Sequence, residues 1–442
     1  MLGLTAALLP LVFVPTLQDA FALPRLVALY VLVPVALAGS LVALVLTPSA
    51  LRRGLRWPDA AAAAFGALAV GAWALAPSPG HDLQGEPLQY QGLAAVILYL
   101  AAYASARFAL GDARRVRRLL TLVALAGAAS AAYAVVQQLR LDPIWHGLDK
   151  GRVFGTLGQA NALGAYLVLA LPAAAALAAT SRGVARSAAV GAGLLIVVAL
   201  VLSYSRGAYL GAAAEVAVAL AALGARHSRG GAVPVGRVLR RGISAALLGA
   251  ALLAVALLAL PVVRDVATRA VGRALSSADL QEGSIADRLD LWAVGVRISL
   301  DHPLLGTGPD SYALEFPAYR ESVLPPDRAA FMGRFRPESP HNVYLAIADG
   351  LGLPALVAYL AVSAGALLAA WRAAGRADGS VAILAAGIGA AIVGHLATDG
   401  FMTAELAGSW LFWVLLGAAV ALPLGTGHRL APTASRVGTR GA

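Results

Sequence analysis

The 442-residue chain has no cysteine, which excludes disulfides, thiolate nucleophiles and cysteine-held metals. Lysine is nearly absent as well: Lys150 is the only one, and arginine supplies the rest of the basic charge. Charge of either sign is sparse, at 13% of residues, against 60% hydrophobic and a mean hydropathy of +0.76. No soluble fold needs that balance. The chain also lacks a His-Glu-x-x-His zinc pattern, a phosphate-binding P-loop and an acidic cluster with magnesium-ligand spacing. Asp310, Glu315 and Glu321 are scattered. No metal and no other cofactor is expected. The net charge of +11 invites a nucleic-acid reading. The arginines, however, sit in short loops between apolar runs, as in the cytoplasmic loops of membrane proteins, so no nucleic-acid partner is expected.

What remains is a series of apolar runs of roughly 17–25 residues, the length that crosses a bilayer as a helix. They predict an all-α, polytopic integral membrane protein with about twelve spans: 3–17, 26–47, 59–76, 91–110, 119–138, 159–179, 188–204, 207–224, 242–262, 343–370, 381–398 and 406–424. Ala20-Phe-Ala22 is a weak signal-peptidase site, and the first run reads as a retained helix. With the N-terminus in the cytoplasm, the inner loops and the tail carry nineteen basic residues and the short outer loops five. That asymmetry sets the orientation. It also requires two crossings within 188–224, separated at Ser203-Tyr-Ser-Arg-Gly207. The organisation is then 1–262 with nine spans, an extracytoplasmic loop over 263–342, three spans over 343–424, and a disordered cytoplasmic tail over 425–442.

The long loop is patterned. Ser284-Ile-Ala-Asp287 resembles a capping box, and Leu289, Trp292, Val296 and Ile298 or Ser299 recur at helical spacing to about Leu300. Asp301-His-Pro303 stops this helix, whose Trp side is expected to lie on the bilayer surface. The loop ends in Arg334-Phe-Arg-Pro-Glu-Ser-Pro-His-Asn-Val-Tyr344. Ser339 reads as an N-cap and Pro340 as the first helical residue, which places His341 and Asn342 in the first turn of a span at the water boundary. The positive end of a helix dipole disfavours imidazolium and favours an anion. A neutral imidazole beside an anion site suits a base working next to a phosphate. The bland alternative is a histidine that merely caps an interfacial helix.

Four polar points fall on the same face, each beside a span. They are Arg152-Val-Phe-Gly-Thr-Leu-Gly-Gln-Ala-Asn161, Ser205-Arg206-Gly207, Arg288 with Trp292 one turn on, and His341-Asn342. Any single arginine at a membrane surface has a bland use as a headgroup anchor. Several together suit a phosphate, which arginine grips bidentately with permanent charge. Two or three around one site would hold a diphosphate without a metal. His395 with Asp399 is a fallback pair; His81, His146 and His302 read as structural.

In this order and spacing, the four points resemble the O-antigen ligase and polymerase superfamily. The matching stretches are Arg152 to Asn161 with its Gly-x-x-Asn opening, Ser205-Arg206-Gly207, Arg288-x-x-x-Trp292 running on to His302-Pro-Leu-Leu-Gly-Thr-Gly-Pro309, and His341-Asn342-x-Tyr344. They span about residues 150–370. The resemblance implies a GT-C-like membrane fold and transfer of a glycan from a polyprenyl diphosphate carrier at the outer face of the bacterial cytoplasmic membrane. Arg206 and Arg288, with Arg152 as a further contact, would bind the diphosphate. His341 would be the general base, and Asn342, Tyr344, Asn161 and Trp292 would support the site. The acceptor it implies is a lipid A core, a growing glycan or a protein, corresponding to ligase, polymerase or protein O-oligosaccharyltransferase. From another class, a flippase for lipid-linked sugars remains open, although the spans are almost free of charge at their centres, Glu215 excepted. A peptidoglycan polymerase shares the architecture, but its signature is usually an aspartate in the outer loop.

Overall fold

The computed structural model describes residues 1–46, 54–145, 147–148, 151–228, 268–269, 271–272, 283–377 and 379–422. Within them the chain is helical, with no strand. The helices are α1 (Leu2–Leu8), α2 (Ala22–Leu46), α3 (Trp57–Leu75), α4 (Pro79–Gln84), α5 (Leu93–Ala109), α6 (Ala113–Gln138), α7 (Ala160–Thr180), α8 (Gly183–Leu202) and α9 (Arg206–Ser228). There follow α10 (Gly283–Asp301), α11 (Tyr312–Val323), α12 (Pro326–Met332), α13 (Val343–Leu351), α14 (Leu353–Arg376), α15 (Gly379–Asp399) and α16 (Leu406–Ala421). Seven of these are long and apolar enough to cross a membrane: α2, α3, α6, α7, α8, α14 and α15. Shorter apolar helices cover Leu2–Leu11, Leu93–Ala109 and Leu406–Ala421. The chain is a polytopic helical membrane protein.

Helix occupies eleven of the twelve expected stretches, and the ninth, 242–262, lies outside the described residues, as does the tail 425–442. Two stretches differ from expectation. The first helix is short and tightens into a 3-10 turn over Leu9–Leu11, where Pro10 removes a backbone donor. The expected span 343–370 is broken at Gly352, whose φ of 88° ends α13 before α14 begins with Pro354 in its first turn.

The core forms around α16 and α7, which are apolar on every side. Every residue of α16 except Ser409 is buried, from Leu406 to Ala421. Most of α7 is buried as well. A helix apolar all round must be enclosed by others. α16 packs on α5 and α14, while α7 packs on α8, α15 and α6. The two ends of the bundle are tied separately. At one end Arg107 pairs with Asp59 at 3.1 Å, and Arg117 donates to the Thr180 and Ser181 hydroxyls. At the other lie Arg25 with Glu405, Glu86 with Arg336, and His341.

Above that second end, α10, α11 and α12 form a small separate core of Leu291, Val294, Ile298, Tyr312, Phe316, Leu324, Ala329 and Met332. The expected loop helix is present as α10, but its buried face is a different one. Leu291, Val294 and Ile298 point inward, while Leu289 and Val296 are more than two-fifths exposed. Its partners are Tyr312 and Phe316 of α11 rather than a bilayer surface, so the inward stripe is set by protein. Arg328 holds the first turns of α10 through Asp287 at 2.7 Å and through Asp290.

Candidate functional site

The connection from Gly400 to Glu405, between α15 and α16, gathers the side chains of interest. Glu405 caps α16 by accepting from the Gly408 N–H at 2.9 Å, and it pairs with Arg25 at 3.0 Å. Arg25 is 1% exposed and also donates to the carbonyls of Leu157, at 3.2 Å, and Thr156. One guanidinium thereby fixes the Arg152–Asn161 loop to the 400–405 connection. Within that loop Arg152 donates to Asn161 Oδ1 at 3.1 Å. Gln137 satisfies the N–H groups of Phe154 and Gly155, and Thr156 bonds Ser130, which holds the loop over α6.

Arg206 opens α9 after Tyr204, which takes a left-handed φ of 47°. Gly207 lies against Phe401 and Met402, where an added Cβ would meet both at 3.4 Å. Thr398 Oγ1 donates to the Gly207 carbonyl at 3.4 Å. Trp292 sets its ring 5.9 Å from Phe401. Arg288 is one helical turn before Trp292 on α10, about 6 Å along the axis, and is half-buried. The Arg206 segment, through Gly207, and the Arg288–Trp292 segment, through Trp292, thus both meet Phe401.

His341 reaches this connection directly: its Nδ1 lies 2.7 Å from Thr403 Oγ1. The N-cap expected at Ser339 is instead Asn342, whose Oδ1 accepts from the N–H groups of Tyr344 and Leu345 at 3.0 and 3.2 Å. An amide oxygen that satisfies two orphan donors outcompetes a serine three residues earlier. Ser339, Pro340 and His341 consequently precede the helix, and His341 takes a φ of 51°. Its backbone N–H donates to Ser339 Oγ at 3.2 Å. Tyr344 turns inward, donating to the Leu396 carbonyl at 2.5 Å and meeting Tyr359 edge to face.

The segment leading to His341 is moored to the loop after α4. Arg336 pairs with Glu86 at 3.2 Å, and Gln89 donates to Glu338 at 3.0 Å. His81 bridges Asp82 and Glu86 at 3.0 and 3.2 Å. Burial pulls the His81 pKa down, but its hydrogen bonds to these carboxylates outweigh that and leave it raised. Burial raises Asp82, against the opposing pull of His81. Asp310 accepts from the N–H groups of Glu86 and Gln91 at 2.8 and 3.2 Å. Burial nonetheless pushes its carboxyl up to about 7.

The fallback pair, His395 and Asp399, lies deep in the bundle at 3.4 Å, with the Tyr359 hydroxyl on Asp399 at 2.8 Å. It lines a cavity of about 90 Å³ with Gln91, Tyr99, Asp310 and Ser409, to which neither His341 nor the arginines contribute. His302 is exposed at the end of α10, and His146 lies outside the described residues. Among the described residues no group of three or more His, Asp or Glu is placed to hold a metal. Sequence reasoning missed Arg25, Thr403 and Glu405. The available signal was the break between two apolar spans that carries Asp399, Thr403 and Glu405, together with one arginine at the start of α2.

No curated protein matches the chain. Residues 191–360 match a family model described as O-antigen ligase. The matched stretch runs from within α8 to within α14 and contains Arg206, Arg288, Trp292, His341, Asn342 and Tyr344, but not Arg152, Asn161 or the 400–405 connection. Over this stretch, which is less than half of the chain, the sequence is similar to the O-antigen ligase family.

Proposed function

We propose that the protein is a metal-independent membrane glycosyltransferase of the ligase type. It moves an oligo- or polysaccharide from a polyprenyl diphosphate carrier to an acceptor hydroxyl at the extracytoplasmic face of the cytoplasmic membrane. The observation that carries this reading is the meeting of the Arg206, Arg288–Trp292 and His341 segments at one connection, residues 400–405. Arginine charge and a histidine base then share one membrane-edge site.

A glycosyl diphosphate already has a good leaving group, so the protein's task is to stabilise charge on the departing diphosphate. Arg206 and Arg288 do this, with Arg152 as a further contact. Fixed cations beside low-dielectric lipid act strongly on such charge. His341 takes the proton as the acceptor oxygen forms its bond to the anomeric carbon, and the old carbon–oxygen bond breaks with its electron pair leaving on the diphosphate. A single displacement of this kind inverts the anomeric centre. The base contributes roughly 10²–10⁴-fold.

The test begins with a deletion in the native host. Lipid-linked glycans are extracted and sized, and the strain is complemented with variants. Long lipid-linked polymers with no surface glycan are expected. Single lipid-linked repeats would replace the ligase with a polymerase, and repeats trapped on the inner leaflet would point to a flippase. His341→Ala is expected to lower turnover far more than donor binding, whereas Arg206→Ala and Arg288→Ala weaken donor binding as well. Equal donor affinity in all three would contradict this division of labour.

A further inference from the structure

We infer that Thr403 is the positioning residue for His341, fixing the imidazole tautomer that the transfer needs. The inference rests on the reading of His341 as the base, and it adds a residue outside the matched family stretch.

Three polar groups close a ring. His341 Nδ1 is 2.7 Å from Thr403 Oγ1, Thr403 Oγ1 is 2.7 Å from Ser339 Oγ, and Ser339 Oγ accepts the His341 backbone N–H at 3.2 Å. Ser339 is 4% exposed. Two hydroxyls and one N–H allow two proton arrangements around the ring. In one, Thr403 donates to Nδ1, and the lone pair at that nitrogen is used up. In the other, Nδ1–H donates to Thr403 Oγ1 and the Thr403 hydroxyl donates to Ser339 Oγ. The second arrangement leaves the basic lone pair on Nε2, the nitrogen on the far edge of the ring. It also survives the reaction. When the acceptor O–H bond breaks and its proton binds Nε2, the imidazolium still has Nδ1–H, and Thr403 still accepts from it. The first arrangement would have to reverse two hydroxyl rotors during the step.

Thr403 is fixed for this work from both directions along the chain. Two residues before it, Phe401 stands against Trp292. Two residues after it, Glu405 is held by Arg25 and by the start of α16. His341 has a left-handed backbone, and the Ser339 hydroxyl that accepts from that backbone is the same one that meets Thr403. The ring therefore couples the direction of the imidazole to its protonation. A neutral hydroxyl partner, unlike a carboxylate, orients the ring without adding a negative charge next to a departing diphosphate.

The test uses the full chain, purified and returned to membrane vesicles from the deletion strain, whose accumulated lipid-linked glycan and native acceptor serve as substrates. Thr403→Val is expected to lower kcat about tenfold to a hundredfold, with the KM for lipid-linked glycan unchanged. The acidic limb of its pH–rate profile should shift to lower pH, because the imidazolium loses a hydrogen-bond acceptor. Thr403→Ser, which restores the hydroxyl, is expected to bring both back close to wild type. A purely structural role for Thr403 would lower the amount of active protein without moving the pH limb. Wild-type rate and pH profile in Thr403→Val, with His341→Ala inactive, would overturn this inference alone. His341→Ala at wild-type rate would overturn the base and this inference together. Should Thr403→Val not fold, Thr403→Ala and Thr403→Ser provide the same contrast in the pH limb.

Discussion

The two ends of the helix bundle solve the same problem of turning the chain in different ways. At the end tied by Arg107 and Arg117, every described residue with positive φ is a glycine: Gly54, Gly183 and Gly379, at 58°, 55° and 58°. At the end that carries His341, six residues with side chains take left-handed backbones: Leu88, Tyr90, Arg140, Tyr204, Asp310 and His341. Each costs of order 1–3 kcal/mol and persists only where its surroundings hold it. Three of the six flank the candidate site. Tyr204 precedes Ser205-Arg206, Asp310 anchors the loop moored to the His341 segment, and His341 is the candidate base. The His341 end also turns on glycines, among them Gly85, Gly158 and Gly306, but among the described residues it alone adds side chains on left-handed backbones, which places them.

The two arginines buried among the described residues make the sharpest test of that contrast. Arg107 and Arg25 are each 1% exposed and each is held by a carboxylate and by backbone carbonyls, one for Arg107 and two for Arg25. Removing either leaves buried acceptors uncompensated, and Arg107→Ala and Arg25→Ala are both expected to cost about 3–5 kcal/mol, read as thermal unfolding in detergent. Their effects on glycan transfer per folded molecule should part. Arg25→Ala frees the 400–405 connection and should slow transfer about tenfold or more, while Arg107→Ala should leave it within about twofold. An equal loss of transfer in both would mean that the ends are not functionally distinct.

Asp310 offers a second, smaller handle at the His341 end. Its carboxyl pKa lies near 7 in the fold, above its value of 3.8 when unperturbed, because it is buried. The folded state therefore holds a proton that the unfolded state releases from about pH 4 upward. Stability from this group is fully present below pH 4 and is lost as pH rises through 7. Asp310→Asn cannot ionise and keeps an acceptor for Glu86 and Gln91. The stability of the wild type relative to Asp310→Asn should thus fall between pH 4.5 and about 7.5 and then level. Hydrogen exchange at the Glu86 and Gln91 amides should report it, with no change at Gly54 or Arg117. A flat difference over that range would return Asp310 to an ordinary carboxylate.

How much of this was open to a reader of the sequence follows from which interactions are local. The helices were, because an apolar run of about twenty residues must satisfy its own backbone, and eleven of the twelve expected stretches hold helix. The break at Gly352 was written in Gly350-Leu-Gly-Leu-Pro354, but continuous hydrophobicity over Val343 to Ala370 masked it. The Asn342 cap lost to Ser339-Pro340 on paper because both are good helix openings, and only the hydrogen bonds choose between them. The period of α10 was readable and its face was not, since that face is set by Tyr312 and Phe316 in a helix the sequence did not announce. Arg206, Arg288 and His341 stood out as charge or imidazole beside apolar spans. Thr403 and Glu405 did not, because their meaning lies in partners far away in sequence: His341 and Arg25.

The smallest expected effect tests the backbone contrast itself. Gly183 has a φ of 55°, and a Cβ added there would meet no heavy atom within 4 Å. Gly183→Ala therefore carries only the backbone cost, about 1–2 kcal/mol. Leu88 has a φ of 74° and is 55% exposed, so little packing is lost on truncation. Leu88→Gly relieves a similar strain but widens the unfolded ensemble, which leaves a net gain of about 0.5–1 kcal/mol. The two substitutions should move thermal unfolding in opposite directions. A neutral Gly183→Ala would mean that the turn relaxes to negative φ at no cost, and the glycine there would not be a device of the fold. A Leu88→Gly that destabilises by more than about 1 kcal/mol would show that this loop is held by Leu88 itself. The strain at the His341 end would then be local to that side chain rather than imposed by the loops that place Arg206 and His341.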